Sequence, residues 1–523
     1  MLKSISECDF MAFDCEFTGL GFGISTMTAF DTPQLAYAKL RQNVGNFLLS
    51  QFGLCCFCYN QPSDSYTYAA YTSYIFPRLP EQIQSLRDLA GKTICSFETT
   101  AFQLLAKNDF DFNKWIKHGV GYVRKSDAVA MREELKKRCE RRKKEASMNE
   151  DSKPSIPDKI KPKIEVVLRK VEKYMKDVSE TDKLELTDLT KYERKLVFQS
   201  LDYIYGTLLY AETKTDDSRV QKIVLQKCQS LASYHKLNEQ RLENDLQLLD
   251  SAEGFCKVLN AITLSGKPVV GHNISLDLLH TFKALHSALP EEWAEFKKEL
   301  KSLLPVLYDT KLLCTHSELK ALVGSNPSLE ELNARTRQHP FGKMSVAATE
   351  GCGFDGSAGF HNSGYDAFVT GRAFLEMASY LGDFKCPSRN STDLPWQLLQ
   401  PMQNKMFVAR LSDLPHVDLS SEQDNIPDRS HVFLLEMDSD SWCNKDISRM
   451  FSPYGNVQIF WNGPLTAWVA LHRKENASKV RENFCANPKE EARLWRLRTA
   501  AEFTSEQEKI LVCPQKRARV EET

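Results

Sequence analysis

The run Phe10-Met11-Ala12-Phe13-Asp14-Cys15-Glu16-Phe17 decides how the rest of the chain is read. Four apolar residues lead into carboxylates at alternate positions. On a strand, side chains two apart share a face, so Asp14 and Glu16 emerge side by side from an apolar segment. Burying two carboxylates is costly unless a cation neutralises them. An all-oxygen ligand set suits a hard ion such as Mg²⁺ or Mn²⁺. Acidic residues at a strand end are also common without any ion, so the pair needs partners elsewhere.

Two further carboxylates supply them. Asp277 lies in Gly271-His272-Asn273-Ile274-Ser275-Leu276-Asp277, where an apolar strand (Lys267 to Val270) enters a helix. Asp366 lies in His361-Asn362-Ser363-Gly364-Tyr365-Asp366, at the opening of a helix whose Ala367, Phe368, Gly371, Phe374, Leu375 and Ala378 share one side. Each alone is also accounted for by charge compensation at a helix N-terminus, worth ~0.3–1 kcal/mol, and Asn273 by simple capping. Together, four carboxylates and a nearby imidazole suit phosphodiester hydrolysis. Two metal ions about 3.5–4 Å apart activate a water and stabilise the departing oxyanion. A histidine with a reference pKa of ~6.5 takes the water's proton near neutrality. His361, five residues before Asp366, is placed for that role.

The remaining sequence frames this constellation. At about 150 residues per domain, 523 residues predict about three domains. Lys plus Arg (68) balances Asp plus Glu (69), which excludes a globally basic coat protein but not a local basic groove. The 42% hydrophobic content excludes wholesale disorder. Fifteen cysteines in a chain this long are not a disulfide scaffold. The one CxxC spacing, Cys55 to Cys58 in Leu54-Cys55-Cys56-Phe57-Cys58-Tyr59, reads as buried strand and not as a zinc site. Glu7 and Asp9 fall where a signal peptide needs an apolar core. The most apolar stretch, Phe47 to Tyr59, is shorter than the roughly 18–20 residues of a membrane span. A soluble, intracellular protein with no membrane partner is expected.

Residues Phe10 to about Trp115 read as strands and turns, with Tyr66, Tyr68, Tyr71 and Tyr74 packing in a sheet in preference to stacking on bases. Arg132 to Glu145 holds eight Lys or Arg and reads as a solvated helix running into a linker, with an RNA-binding stripe as the sharper alternative. Met148 to Pro162 reads as flexible, and an α-rich insert follows. His431 to Leu471 shows a β-α-β-β pattern, half or more of a ferredoxin-like module. The expected organisation is nuclease residues 1–150, insert 151–245, nuclease 246–390, linker 391–425, RNA-recognition-like module 426–500 and polar basic tail 501–523.

In its ordered motifs the chain resembles a known family. Asp-x-Glu on a first strand, a distant Asp on a helix and His-x4-Asp near the end is the pattern of the DEDD exonucleases, histidine subclass. Phe13-Asp14-Cys15-Glu16-Phe17-Thr18-Gly19, Gln51-Phe52-Gly53-Leu54-Cys55, Asp109-Phe110-Asp111-Phe112-Asn113-Lys114, Gly271-His272-Asn273, Asp309-Thr310-Lys311 and His361 through Asp366 look like the poly(A)-specific ribonuclease family. That resemblance runs from about residue 8 to 500. It implies an RNase H-like α/β nuclease core with a small inserted α-rich domain, of the type named for an Arg-x3-His pair, and a C-terminal RNA-recognition module. It implies 3′-to-5′ exonucleolytic shortening of poly(A) tails on single-stranded mRNA, with release of nucleoside 5′-monophosphates. Asp14, Glu16, Asp277 and Asp366 match the family's ligands to two Mg²⁺, with Mn²⁺ the alternative, and His361 its general base. Lys311 and Phe17 match RNA contacts, and Trp461 the tryptophan that stacks on the mRNA 5′ cap. Homodimers in nucleus and cytoplasm are implied as well.

The sequence departs from the pattern in places. The insert has no Arg-x3-His pair; Arg335 to His339 lies outside it. The C-terminal module lacks a good aromatic signature of the RNA-recognition type. Trp461 and Trp468 flank its Asn462-Gly463-Pro464 turn, and cap stacking and plain packing stay open for them. Lys516-Arg517-Ala518-Arg519 reads as a nuclear import signal or a solvated tail. The alternatives in function are a 3′-end trimmer of PIWI-interacting RNA precursors, which shares these motifs, and a catalytically silent RNA-binding relative. The trimmers typically end in a membrane helix, so the polar tail favours the deadenylase.

Overall fold

Strand β1 (Phe10–Phe17) forms because its first half is apolar on both faces, the signature of a strand covered on both sides. In the computed structural model, which describes residues 1–21, 26–78, 93–145, 154–177, 183–215, 220–354, 359–385, 393–485 and 495–512, it lies inside a six-stranded mixed sheet. Across the sheet the order is Leu307–Asp309, Val269–Gly271, β1, β2 (Leu49–Asn60), β3 (Ser65–Tyr74) and Val346–Ala348. β1 pairs in parallel with Val269–Gly271 and antiparallel with β2. Cys55 is buried on β2, and the four tyrosines lie on β3. The Phe10 ring stacks on Phe57 at 4.8 Å and meets Phe374 at 5.4 Å.

Phe374 belongs to the helix Ser363–Lys385, which crosses β1 and β2. Its first turn lies almost on the sheet backbone. A Cβ on Gly53 would stand 1.9 Å from the Ser363 carbonyl oxygen, and one on Gly364 would stand 2.1 Å from Thr72 Oγ1. Glycine at these two positions is a matter of space, and it brings Asp366 down to the sheet.

Several expectations are corrected. Residues 10–115 are not only strands: Pro33–Val44, Thr99–Lys107 and Phe112–His118 are helices. Their aromatic residues, including buried Trp115, pack as helix faces that a short mixed apolar pattern does not reveal. The expected 391–425 linker is largely packed structure. Leu394, Leu399, Met406 and Val417 are buried, and Asn404 accepts from the Leu307 N–H through its side chain.

The described residues from 121 to 254 form a separate compact unit, so the insert begins before residue 151. The helix Lys125–Glu145 packs against Leu231–Ala252 within it. The insert is not purely helical, since Leu184–Leu186, Gln221–Lys227 and Leu209–Thr215 make a three-stranded antiparallel sheet. Residues 148–153 of the stretch expected to be flexible, and the Lys516–Arg519 cluster, lie outside the described residues, whereas Lys161 and Pro162 of that stretch open the helix Lys161–Lys176.

The C-terminal module completes its expected pattern. Trp495–Thr499 adds a fourth strand, and the order Val457–Trp461, Thr466–Leu471, Val432–Met437, Trp495–Thr499 is that of a ferredoxin-like sheet. Both faces are covered. One carries Phe433, Leu435 and Val469 against Ile447 and Phe451 of the helix Asn444–Phe451. The other presents Leu434, Phe460 and Trp468 to Phe30 and Leu35 of the nuclease part and to Phe503 of the helix Ala500–Val512. Phe30 meets Phe460 edge-on at 5.2 Å, and Trp468 meets Phe503 at 5.1 Å. Arg429 seals this junction, pairing with Asp413 at 2.7 Å and donating to the Phe30 carbonyl.

Candidate active site

The end of β1 delivers Asp14 and Glu16 to one face, as their spacing predicts. Opposite them on β2 stand Gly53 and Gln51. Gln51 Oε1 accepts from both the N–H and the hydroxyl of Ser363, at 2.9 and 2.8 Å. That double bond fixes the start of the Ser363–Lys385 helix over the carboxylates, and Asp366 sits in its first turn. One oxygen each from Asp14, Glu16 and Asp366 lie within 4.8 Å of one another. Asp277, in the helix Ser275–Thr281 behind the neighbouring strand, is buried outside that triangle and repels Asp14 and Glu16 electrostatically. Its carboxylate accepts from Cys15.

No Lys or Arg among the described residues offsets the charge of Asp14, Glu16 or Asp366. Desolvation, then the neighbouring negative charges, push Asp14 well above the ordinary carboxylate range. Glu16 rises to about 8 from burial and then from Asp366 and Asp277. Asp277 rises to about 8 and Asp366 to about 7, burial being the leading cause in both. Asp366 Oδ2 accepts the His361 N–H at 2.8 Å, while its buried Oδ1 has no partner among the described residues. Three converging carboxylates, one with an orphaned buried oxygen, fit a hard divalent cation.

His361 stands at the mouth of this cluster. Its backbone is left-handed (φ 64°), a conformation uncommon outside glycine, and its side chain is exposed. The bond from its own N–H to Asp366 holds the residue there. Thr72 donates to Asn362 Oδ1 at 2.8 Å and ties down the next residue.

The other expected residues are placed differently. Phe17 is buried, with its ring stacked on His280 at 4.1 Å, so it packs the site from beneath and does not offer an open ring. Lys311 is half-buried and donates to the Pro327 carbonyl at 2.7 Å. Its neighbour Asp309 is a backbone staple: Oδ1 accepts from the Asn273 and Lys311 N–H groups, and Oδ2 from Phe407. Asn273, left-handed at φ 57°, therefore bridges strand ends. Trp461 is 40% exposed on an edge strand, its indole N–H on Asn444 Oδ1 at 2.7 Å, whereas Trp468 is buried. The positioning residue missed from sequence is Gln51. It lies in the run Gln51-Phe52-Gly53-Leu54-Cys55, where a polar side chain on an apolar strand is the sign of its role.

A mixed sheet whose central strand ends in clustered carboxylates, closed by a helix that adds a third and a histidine, defines a metal-dependent nuclease. The model of the CAF1 family ribonucleases matches residues 1–374, and that of an RNA binding domain matches residues 422–504. The Poly(A)-specific ribonuclease PARN of Xenopus laevis is 33% identical over 512 residues, 96% of this chain and 78% of the relative. The Homo sapiens protein of the same name gives the same identity and coverage. The pre-piRNA 3′-exonuclease trimmer of Bombyx mori is 25% identical over 92% of this chain and 88% of its own. The chain belongs to the CAF1 ribonucleases and, within them, to the poly(A)-specific ribonuclease family. RNA is its substrate class. No helix among the described residues is long and apolar enough to cross a membrane.

Proposed function

We propose that this chain is a 3′-to-5′ exoribonuclease that shortens poly(A) tails and releases nucleoside 5′-monophosphates. The observation that carries the reading is the carboxylate triangle with its orphaned Asp366 oxygen. Asp14, Glu16 and Asp366, with Asp277 behind them, would hold Mg²⁺. When bound, the ions supply Lewis acidity and lower the pKa of water. His361, exposed at the mouth and fixed through its own backbone, takes the proton of the attacking water. Poly(A) preference is drawn from the names of the vertebrate relatives, which share more identity than the silkworm trimmer.

Trp461 is the proposed cap contact: an exposed indole offers cation–π attraction to a charged guanine. The covered sheet face leaves Phe460 and Trp468 engaged with Phe30 and Phe503, so RNA stacking on that face is not part of the proposal. A homodimer in nucleus and cytoplasm is proposed on the family resemblance, to be checked by light scattering and by imaging of a tagged chain.

The test is a gel time course on two 5′-labelled RNAs, one ending in oligo(A) and one in mixed sequence, with Mg²⁺ or EDTA. Stepwise shortening of the A-tailed RNA alone, blocked by EDTA, is expected. Equal trimming of both would mark a general 3′-end trimmer, and no cleavage of either a binding protein. Under the same conditions, His361→Ala is expected to slow cleavage by roughly 10²–10⁴-fold, the usual worth of a general base.

A further inference from the structure

The helix Ser363–Lys385 carries two buried polar atoms without a partner among the described residues, Asp366 Oδ1 and Thr370 Oγ1. Thr370 is fully buried and Asp366 nearly so. The two stand four residues apart, so they share a helix face, with Cβ atoms about 5–6 Å apart. A hydroxyl and a carboxylate oxygen can close that gap with one hydrogen bond after a small side-chain rotation.

Thr370 differs from other buried hydroxyls in the helices of this chain. A Ser or Thr that does not face solvent inside a helix bonds the carbonyl four residues before it. Thr336 does so on Leu332 at 2.9 Å, and Ser200 on Leu196 at 2.8 Å. For Thr370 the carbonyl in that position belongs to Asp366, and the hydroxyl does not take it. A buried hydroxyl left unpaired is destabilising, and a valine of the same shape would avoid the cost. Packing alone therefore gives no reason for threonine here. The neighbouring carboxylate does. Oδ2 of Asp366 already accepts the His361 N–H at 2.8 Å. Oδ1 has lone pairs for two partners, a cation and a donor. A donor behind a ligating carboxylate fixes its orientation, and such outer partners govern metal affinity.

We propose that Thr370 is a positioning residue for the metal site, its hydroxyl donating to Asp366 Oδ1 when Mg²⁺ is bound there. The inference rests on the reading of Asp366 as a metal ligand. It gives the helix a second device beside Gln51: Gln51 fixes where the helix starts, and Thr370 fixes how its carboxylate is turned.

The test is Thr370→Val in the full chain, with Mg²⁺ affinity read by calorimetry and cleavage of 5′-labelled oligo(A) read against Mg²⁺ concentration. Mg²⁺ affinity is expected to fall roughly 10–100-fold, and the Mg²⁺ concentration for half-maximal cleavage to rise with it. In EDTA the Tm should exceed that of the parent, because an unpaired buried hydroxyl is gone. Thr370→Ser, which keeps the hydroxyl, should bind Mg²⁺ like the parent. A folded Thr370→Val that binds Mg²⁺ as tightly as the parent overturns the proposal, whatever its Tm. So does a loss of affinity that Thr370→Ser shares. A Tm in EDTA below that of the parent would show that the hydroxyl serves the fold, and overturns it too. Should Thr370→Val fail to fold, Thr370→Ala carries the same Mg²⁺ expectations. A parent that binds no Mg²⁺ would sink the metal-site reading and this inference with it. A parent that binds Mg²⁺ beside a variant that binds it equally sinks this inference alone.

Discussion

Asp31 and the Asp14, Glu16 and Asp366 triangle, both in the nuclease part, are built on opposite principles. Asp31 is fully buried and complete. Both its oxygens face Lys39 Nζ at 2.9 Å, and it also accepts from the N–H and hydroxyl of Thr28. Asp14, Glu16 and Asp366 crowd together with no cationic side chain beside them among the described residues, and one oxygen is left over. In the first, the fold provides its own counter-charge, and the site stabilises. In the second the counter-charge must come from solution, and the fold bears the strain until it arrives. The difference separates a buried charge that serves structure from one that serves chemistry.

Breaking each site should therefore have opposite signatures. Asp14→Ala is expected to lower cleavage by roughly 10³-fold or more, since even outer partners of metal ligands are worth about 10–100-fold. The variant should fold, and its Tm in EDTA should equal or exceed that of the parent, because one repelling charge is gone. Wild-type turnover in this variant would sink the site assignment. Lys39→Ala should do the reverse. It strands Asp31 without its cation, at a cost of about 3–5 kcal/mol in chemical denaturation. Any protein that stays folded should keep its turnover number.

Smaller effects sharpen the contrast. Gln51→Ala loosens the grip on Ser363 without touching a carboxylate. A roughly 10–100-fold loss of Mg²⁺ affinity is expected, partly recovered at high Mg²⁺. A turnover deficit that saturating Mg²⁺ leaves untouched would argue against a positioning role.

The smallest effect is on pH dependence. Glu16 and Asp277 at about 8 and Asp366 at about 7 stand above the ordinary carboxylate value of ~4. The folded state thus holds protons that the unfolded chain has lost. Their contribution to stability is complete below about pH 4 and is lost as pH rises through about 7–8. His272, pushed down to about 3 by burial and then by Lys311, acts in the opposite sense, and its contribution is complete above about pH 6.5. From about pH 6.5 to 8 the raised carboxylates set the direction among these groups. The Tm in EDTA should fall over that range, and excess Mg²⁺ should flatten the curve. A flat curve in EDTA would mean that the cluster is hydrated and uncoupled from folding.

Much of this was legible in the chain because spacing carries it. Asp14 and Glu16 share a face by strand periodicity, and Asp366 and His361 are joined by a short loop. The ferredoxin-like module announced itself by alternating apolar strands. Three features were not legible. Gly53 reads as a weak point in a strand until the helix that must approach it is known. Asp309 stood in a recognised motif, but its backbone partners at Asn273, Lys311 and Phe407 are set by tertiary contacts. Residues 394–424 lack strong periodicity because they cover the core as short pieces, so their burial is visible only in three dimensions.

The covered C-terminal sheet has a practical consequence for anyone cutting the chain into parts. Its two faces differ in ownership: the module fills one, and the nuclease part and the final helix fill the other. A fragment starting near His431 would carry Phe460 and Trp468 without Phe30 and Leu35 to cover them. A fragment ending near Lys385 would leave Phe30 bare and lose Asn404 and Phe407 from the two ends of the strand Leu307–Asp309. Separate expression of either piece should therefore yield sticky, poorly behaved material, and an inactive nuclease fragment would report a missing wall and not a missing RNA-binding accessory.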